Sequence, residues 1–291
     1  MMNWEIRVLM TVLFVVLAPF LGGLLDGIDR VITARMQGRK GPGILQPFYD
    51  LFKLMNKQLL AVNRIQILML LSYLVFVILT GMLFFGGFDL LLCFFSLSTA
   101  AMFVILASTS THSPYNSIGS ERELMQMMAY EPAVLLTAVG FYLSTGTFKV
   151  YEIFNISVPA IVKAPGFFIG FIFILTIKFR KSPFDISTSH HAHQEIVKGV
   201  TTEMAGLDYA MYNLAEWYEN IFLYGVVGLF FACSNPWSML WAFIAIVCVA
   251  FLMTLIDNVS ARVRWELMLK LTWAITLLSA GVNLLILEFV R

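Results

Sequence analysis

The sequence predicts an all-α polytopic membrane protein, a single integral membrane domain running through residues 1–291. Three observations carry this. Of the 291 residues, 59% are hydrophobic and only 13% are charged, whereas soluble domains carry about 25% charged residues. The mean hydropathy is +0.83. The apolar residues also fall in runs close to the ~20 that cross a hydrocarbon core, with polar stretches between them.

About eight transmembrane helices are expected, at residues 8–25, 65–85, 90–110, 127–145, 163–177, 222–233, 238–256 and 271–289. The sixth is read as starting as early as Trp217. The first is a retained span, because no small-residue cleavage site precedes Asp26. Gly38, Gly41, Pro42 and Gly43 break the polar loop that follows it. Beyond Pro47, Phe48, Leu51, Phe52, Leu54, Met55 and Leu59 recur at helical spacing, with Asp50, Lys53 and Lys57 on the other side. That pattern is an amphipathic helix lying on the membrane surface, on a partner, or on the protein's own spans. Residues 26–64, 111–126, 146–162 and 257–270 read as loops.

The longest polar interruption in the C-terminal two thirds is 180–219. It holds six acids, Asp185, Glu195, Glu203, Asp208, Glu216 and Glu219, and three of the four histidines, His190, His191 and His193. Glu195, Glu203 and Glu216 do not share a helical period, so they converge only if the loop folds back into the protein. Irregular backbone at membrane depth is tolerated only where protein or water satisfies it. A solvated loop is the alternative. Glu131, in Tyr130-Glu131-Pro132, is an acid at a span's end or inside it. Such a group is costly and marks a functional site by default, unless it reaches headgroup water.

Net charge is +1 and no basic tract occurs, so nothing points to nucleic acid. Cys93, Cys233 and Cys248 are isolated in apolar runs. Without a Cys-x-x-Cys pair they encode neither a zinc site nor an iron–sulfur cluster, and they read as small buried thiols. His190, His191 and His193 lack a helical i, i+4 pair and any cysteine companion, so partner docking or proton exchange is favoured over metal ligation. Of the 19 Lys and Arg residues, fifteen fall in the loops after spans one, three, five and seven and four on the other side. The positive-inside rule makes those loops cytoplasmic and sets both termini outside the cell membrane.

Several segments carry a family resemblance. They are Arg35 to Arg39, Gly41-Pro42, Leu45-Gln46-Pro47, Asp50 and Lys53-Leu54 in the first loop, then Gly119 to Glu123 with Tyr130-Glu131-Pro132. Ser182-Pro183-Phe184-Asp185 follows, with Gln194-Glu195, Gly199, Thr202-Glu203 and Gly206, and finally Arg262, Arg264 and Trp265. Taken together, these resemble the subunit 1 family of respiratory complex I. They are more closely similar to the homologous membrane subunit of energy-converting, Ech-type nickel–iron hydrogenases. The segment 186–193 is longer than in the quinone-reducing branch and lacks its closely spaced glutamates. The first loop is shorter than in that branch, and both departures favour the hydrogenase side.

The resemblance implies an ion-translocating subunit of an oxidoreductase complex. Electron transfer between ferredoxin and the proton–hydrogen couple would drive H+ or Na+ movement. No catalytic residue, cofactor or metal is expected in this chain. The nickel–iron centre and four-iron, four-sulfur clusters belong to partners: hydrogenase large and small subunits and iron–sulfur proteins, with an antiporter-like membrane subunit alongside. The expected proton path is Glu131, Glu203 and Glu216, supported by Asp185, Glu195 and Asp208. The expected docking residues are Arg35, Arg39, Gly41, Pro42, Arg122, His190, His191, His193, Arg262 and Arg264. Two readings compete: a quinone-binding subunit of a complex I-type enzyme, and a free-standing transporter. Each acid also has a plain structural reading, an ion pair with Arg or Lys of the same loops.

Overall fold

A computed structural model describes residues 4–58, 63–188 and 198–290. The described residues form helices α1 Trp4–Met36, α2 Gln46–Met55, α3 Arg64–Phe85, α4 Leu90–Thr109, α5 Pro114–Thr145, α6 Val150–Ile153 and α7 Ala160–Lys163. These are followed by α8 Pro165–Lys178, α9 Leu207–Phe231, α10 Ser238–Val259, α11 Trp265–Thr276 and α12 Val282–Val290. A 3-10 turn covers Gly199–Thr201, and a π-helical turn, Leu277–Gly281, joins α11 to α12.

Among the described residues, six helices are long and apolar enough to cross a membrane: α1, α3, α4, α5, α10 and the continuous stretch Trp265–Phe289. The other two expected spans differ for physical reasons. The apolar helix α8 has 14 residues, about 21 Å at 1.5 Å per residue, short of a ~30 Å hydrocarbon core. Helix α9 has 25 residues, but Asp208, Glu216 and Glu219 lie along it.

Several segments expected as loops are helical. Helix α1 runs past Asp26 to Met36, aided by the Asp26–Arg30 pair one turn apart. Helix α5 starts at Pro114, thirteen residues before the expected span, with proline in its first turn, where a missing N–H costs nothing. The last third of the central polar stretch is the first half of α9. Hydropathy marks only where a helix is greasy; these helices continue beyond that limit into polar sequence.

Helix α2 packs on the protein's own α9. Leu51 is buried with Ala210 and Trp217, and Phe48 and Leu54 pack against them. Tyr49, Phe52 and Met55 remain exposed. Leu59 lies outside the described residues. The cysteines are not uniformly buried: Cys93 is, Cys233 is half-buried, and Cys248 is exposed on α10.

Hydrogen bonds fix which ends lie together. On one face Asn63 Nδ2 donates to Ser110 O (3.2 Å), Gln37 Nε2 to Asn258 Oδ1 (3.0 Å) and Ser182 N to Asp257 Oδ1 (2.9 Å). Val263 N reaches Pro183 O on the same face (3.1 Å). The connections after α1, α4, α8 and α10 therefore share this face, which also carries most of the basic residues. On the opposite face Leu90 N donates to Phe148 O and Ser234 N to Ile156 O, each at 2.9 Å. There Arg7 grips the α3–α4 turn through Gly86 O and Gly87 O, each at 2.9 Å.

The main core lies among α4, α5, α8 and α9, with Phe94, Phe141, Phe167, Phe171, Phe222 and Phe230 wholly buried. Helices α3 and α9 run parallel: Tyr73 meets Tyr212 and Glu219, and Phe84 meets Phe222.

Candidate functional site

Helix α9 places Tyr212, Glu216 and Glu219 at i, i+4 and i+7, one stripe of its surface. The stripe faces the end of α8, where Lys178 closes the helix and Arg180 begins the connection beyond it. Arg180 holds a left-handed backbone, φ 49°. That conformation is uncommon for a residue with a side chain and is held here by its surroundings. It turns the guanidinium back under the bundle. Arg180 then donates to Glu123 of α5 at 2.7 Å and to Glu216 at 2.8 Å. Lys178 pairs with Glu219 at 2.9 Å, and Tyr73 of α3 donates to the other Glu219 oxygen at 3.0 Å.

Aromatic rings close the network. Lys178 Nζ lies 4.6 Å from the centroid of Tyr130, and the Arg180 guanidinium 5.5 Å from that of Tyr212, both within cation–π range. Side-chain exposure is 5% for Lys178, 8% for Glu219, 6% for Glu123 and 12% for Arg180, against 33% for Glu216. Glu216 is thus the network's open edge. Burial works to lower the proton affinity of Arg180, but Glu123, Tyr212 and Glu216 outweigh it and hold the guanidinium well above its ordinary range. Two cations face three carboxylates, so the network holds one acid more than it has bases. In a medium of low dielectric that excess makes its charge state responsive to any charge nearby.

The loop leaving Arg180 is pinned to its surroundings. Gln126 Nε2 donates to Phe184 O at 2.6 Å, and buried Asp185 is ion-paired with Arg262 of the α10–α11 connection. Lys181 pairs with Asp29 of α1 at 2.7 Å. Helix α5 approaches the 3-10 turn closely enough that a Cβ on Gly119 would stand 2.6 Å from Val200 N.

The sequence-predicted acids separate into groups. Glu216 belongs to the network. Asp208, at the start of α9, is buried and has one carboxylate oxygen without a hydrogen-bond partner. Glu203 is half-buried and lines a cleft of about 390 Å³ with Asn63, Ser110, Thr111, His112, Ser113 and Pro114. Glu131 is half-buried on α5, two turns beyond Glu123; no hydrogen bond or ion pair joins it to another described residue. Glu195, His190, His191 and His193 lie outside the described residues. Among the residues expected to dock partners, Arg35, Arg39, Gly41 and Pro42 are exposed beside the end of α1, and Arg122 is half-buried. Arg262 holds Asp185, and exposed Arg264 precedes α11.

Sequence reasoning missed Lys178, Arg180, Glu123, Glu219 and Tyr73 as a set. The signal was present in the spacing of Tyr212, Glu216 and Glu219, but it shows only once α9 is begun at Leu207 instead of in the apolar run. Among the described residues no group of three or more His, Cys, Asp and Glu side chains is arranged to hold a metal ion.

A bundle of apolar helices around a buried cluster of paired charges defines a polytopic membrane subunit with an ionisable interior. The NADH dehydrogenase family profile matches residues 8–288, and the chain belongs to that family, the membrane subunit common to complex I and the related hydrogenases. It is 28% identical to an NADH-quinone oxidoreductase H subunit of Syntrophobacter fumaroxidans, over 98% of this chain and 97% of that one. It is 27% identical to hydrogenase-4 component C of Escherichia coli, over 86% of each. Among solved structures, a chain of the membrane-bound sulfane sulfur reductase, an archaeal respiratory membrane complex, shares the fold. Its TM-score is 0.85 at 23% identity, over 97% of this chain and 99% of that one.

Proposed function

We propose that this chain is the ion-translocating membrane subunit of an energy-converting hydrogenase. It anchors a cytoplasmic arm carrying the nickel–iron and iron–sulfur centres, and it couples ferredoxin-linked hydrogen chemistry to H+ or Na+ translocation. The observation that carries the reading is the buried network of Lys178, Arg180, Glu123, Glu216 and Glu219. A change of charge at a nearby cluster alters the proton affinity of such a network, and a proton taken up alters the cluster in return. Glu216, at the open edge, receives the proton, and Glu219 and Lys178 lie deeper. Asp185, Glu195, Glu203 and Asp208 serve the approach, and Glu131 continues the path along α5.

In this reading α8 and α9 complete an eight-span bundle, the basic face is cytoplasmic, and both termini are outside. Arg35 and Arg39, flanking the Gly41-Pro42 turn, form a docking surface of fixed shape for the hydrogenase subunits. Arg122, His190, His191, His193, Arg262 and Arg264 extend it. The departures at 186–193 and in the first loop favour hydrogenase over quinone chemistry. The relatives named as NADH-quinone oxidoreductase subunits, of which one matches over 98% of this chain, favour the second reading, a quinone-binding subunit.

Isolating the native complex decides between them. A complex containing nickel that evolves hydrogen from reduced ferredoxin is expected. A complex that reduces quinone at a useful rate and has no hydrogenase activity would overturn the proposal.

A further inference from the structure

Gln66 is an anomaly. It lies in the first turn of α3, is 0% exposed, and neither its amide nitrogen nor its amide oxygen has a hydrogen-bond partner. Burying an amide with both functions unmet costs several kcal/mol unless something polar meets it. Two further such atoms lie on the facing helix: Asp208 Oδ1, and Tyr212 OH, which completes no hydrogen bond although the Glu216 carboxylate lies near it one turn on in the same stripe. Asp208 and Tyr212 are one turn apart on α9, so they share a face.

Register places the three in one stretch of the α3–α9 interface. Helices α3 and α9 are parallel, with Tyr73 level with Tyr212–Glu219 and Phe84 level with Phe222. Stepping seven residues back along α3 from Tyr73 reaches Gln66 on the same buried face. The same step back from Tyr212 and Glu219 reaches Ala205 and Tyr212, and Asp208, in the first turn of α9, falls between those levels. At the outer end, Asn63 caps α3 through Ile65 N at 3.1 Å and also lines the Glu203 cleft. At the inner end, the Tyr212 ring lies beside the Arg180 guanidinium. A row of polar groups thus leads from an open cleft to the charge network.

We propose that this part of the α3–α9 interface is a hydrated branch linking the Glu203 cleft to the charge network, with Gln66 as the residue that holds its water. Water fits all three groups: it donates to Asp208 Oδ1 and to the amide oxygen, and accepts from the amide nitrogen and the Tyr212 hydroxyl. A carboxylate meets only the two donors, and a cation leaves the amide nitrogen unmet. The hydration stands on these buried atoms alone; its use as a proton route rests on the coupling role proposed above.

The test is pulsed hydroxyl-radical labelling of the whole complex in its membrane, in water enriched with heavy oxygen. This labels buried side chains that touch bound water. Tyr212 and Tyr218 are both buried, but Tyr218 is satisfied by donating to Val15 O at 2.7 Å. Heavy-oxygen label is expected at Tyr212 and not at Tyr218, with loss of the Tyr212 label in Gln66→Leu. Tyr212 labelled no more than Tyr218 would overturn the proposal without any variant, as would a label that survives Gln66→Leu. Labelled Tyr212 in a complex whose Glu216→Gln variant still pumps normally would uphold the hydration and remove only the coupling role.

Discussion

The molecule builds the same motif twice, one arginine between two carboxylates. On the α1–α2 surface Arg30 lies 3.0 Å from both Asp26 and Asp50. In the interior Arg180 lies 2.7 Å from Glu123 and 2.8 Å from Glu216. Geometry barely separates them, whereas exposure does: Arg30 is 41% exposed and Arg180 12%. Water already screens the first triad, so its charges contribute little to folding and respond weakly to one another. The second has lost that water, so each charge depends on its partners. Breaking such a pair is costly even where the intact pair adds little. The same dependence suits the interior triad to charge coupling.

Arg180→Met breaks the comparison most severely. Removing the cation strands Glu123 and Glu216, and a loss of about 3–5 kcal/mol is expected for a broken buried pair. It is read as a lowered melting temperature or failure of the subunit to assemble. Gly27→Ala tests whether backbone fit, and not charge, holds the outer triad. A Cβ at Gly27 would stand 1.9 Å from Ile44 O, forcing α1 away from the segment that leads into α2. The expected cost is ~1–3 kcal/mol, with a melting shift larger than that of any outer-triad charge variant.

Arg30→Ala removes the outer cation outright. A loss of ~1 kcal/mol or less is expected, shrinking further at high salt, as followed by thermal melting at two ionic strengths. The smallest effect is expected at Glu152, on the opposite face. There hydrogen bonds from Thr147 and Lys149 hold its carboxyl below the usual carboxylate range. The sign follows from linkage: its contribution is present above the ordinary carboxylate pKa and is lost as pH falls through the lowered one. The difference in melting temperature between the native protein and Glu152→Gln should therefore shrink on acidification.

Much of this fold was legible in the sequence because apolar run length and segregated charge report directly on a bilayer. The boundaries were not. Asp26–Arg30 and the polar start of α5 are helical because neighbouring helices and paired charges support them, and hydropathy does not record such support. Glu216 was legible as an acid beside a span. Its partner Arg180 was not, because a left-handed backbone after α8 turns it inward, and spacing alone assigned it to the basic face. Gln66 carried no signal of its own: it falls inside the apolar run read as the span 65–85, and spacing does not show what buries it.

The central claim is that the interior network couples redox charge to ion movement. It is tested most directly by Glu216→Gln in sealed vesicles, following ferredoxin-driven hydrogen formation together with a ΔpH or membrane-potential probe. Glutamine keeps the size and hydrogen-bonding capacity of the side chain and removes its ionisable proton. The complex should assemble, and its clusters should remain reducible by ferredoxin. Hydrogen turnover and ion translocation should both fall, with far less effect on assembly. Normal turnover with normal ion pumping in this variant would contradict the account and leave Glu216 a structural partner of Arg180.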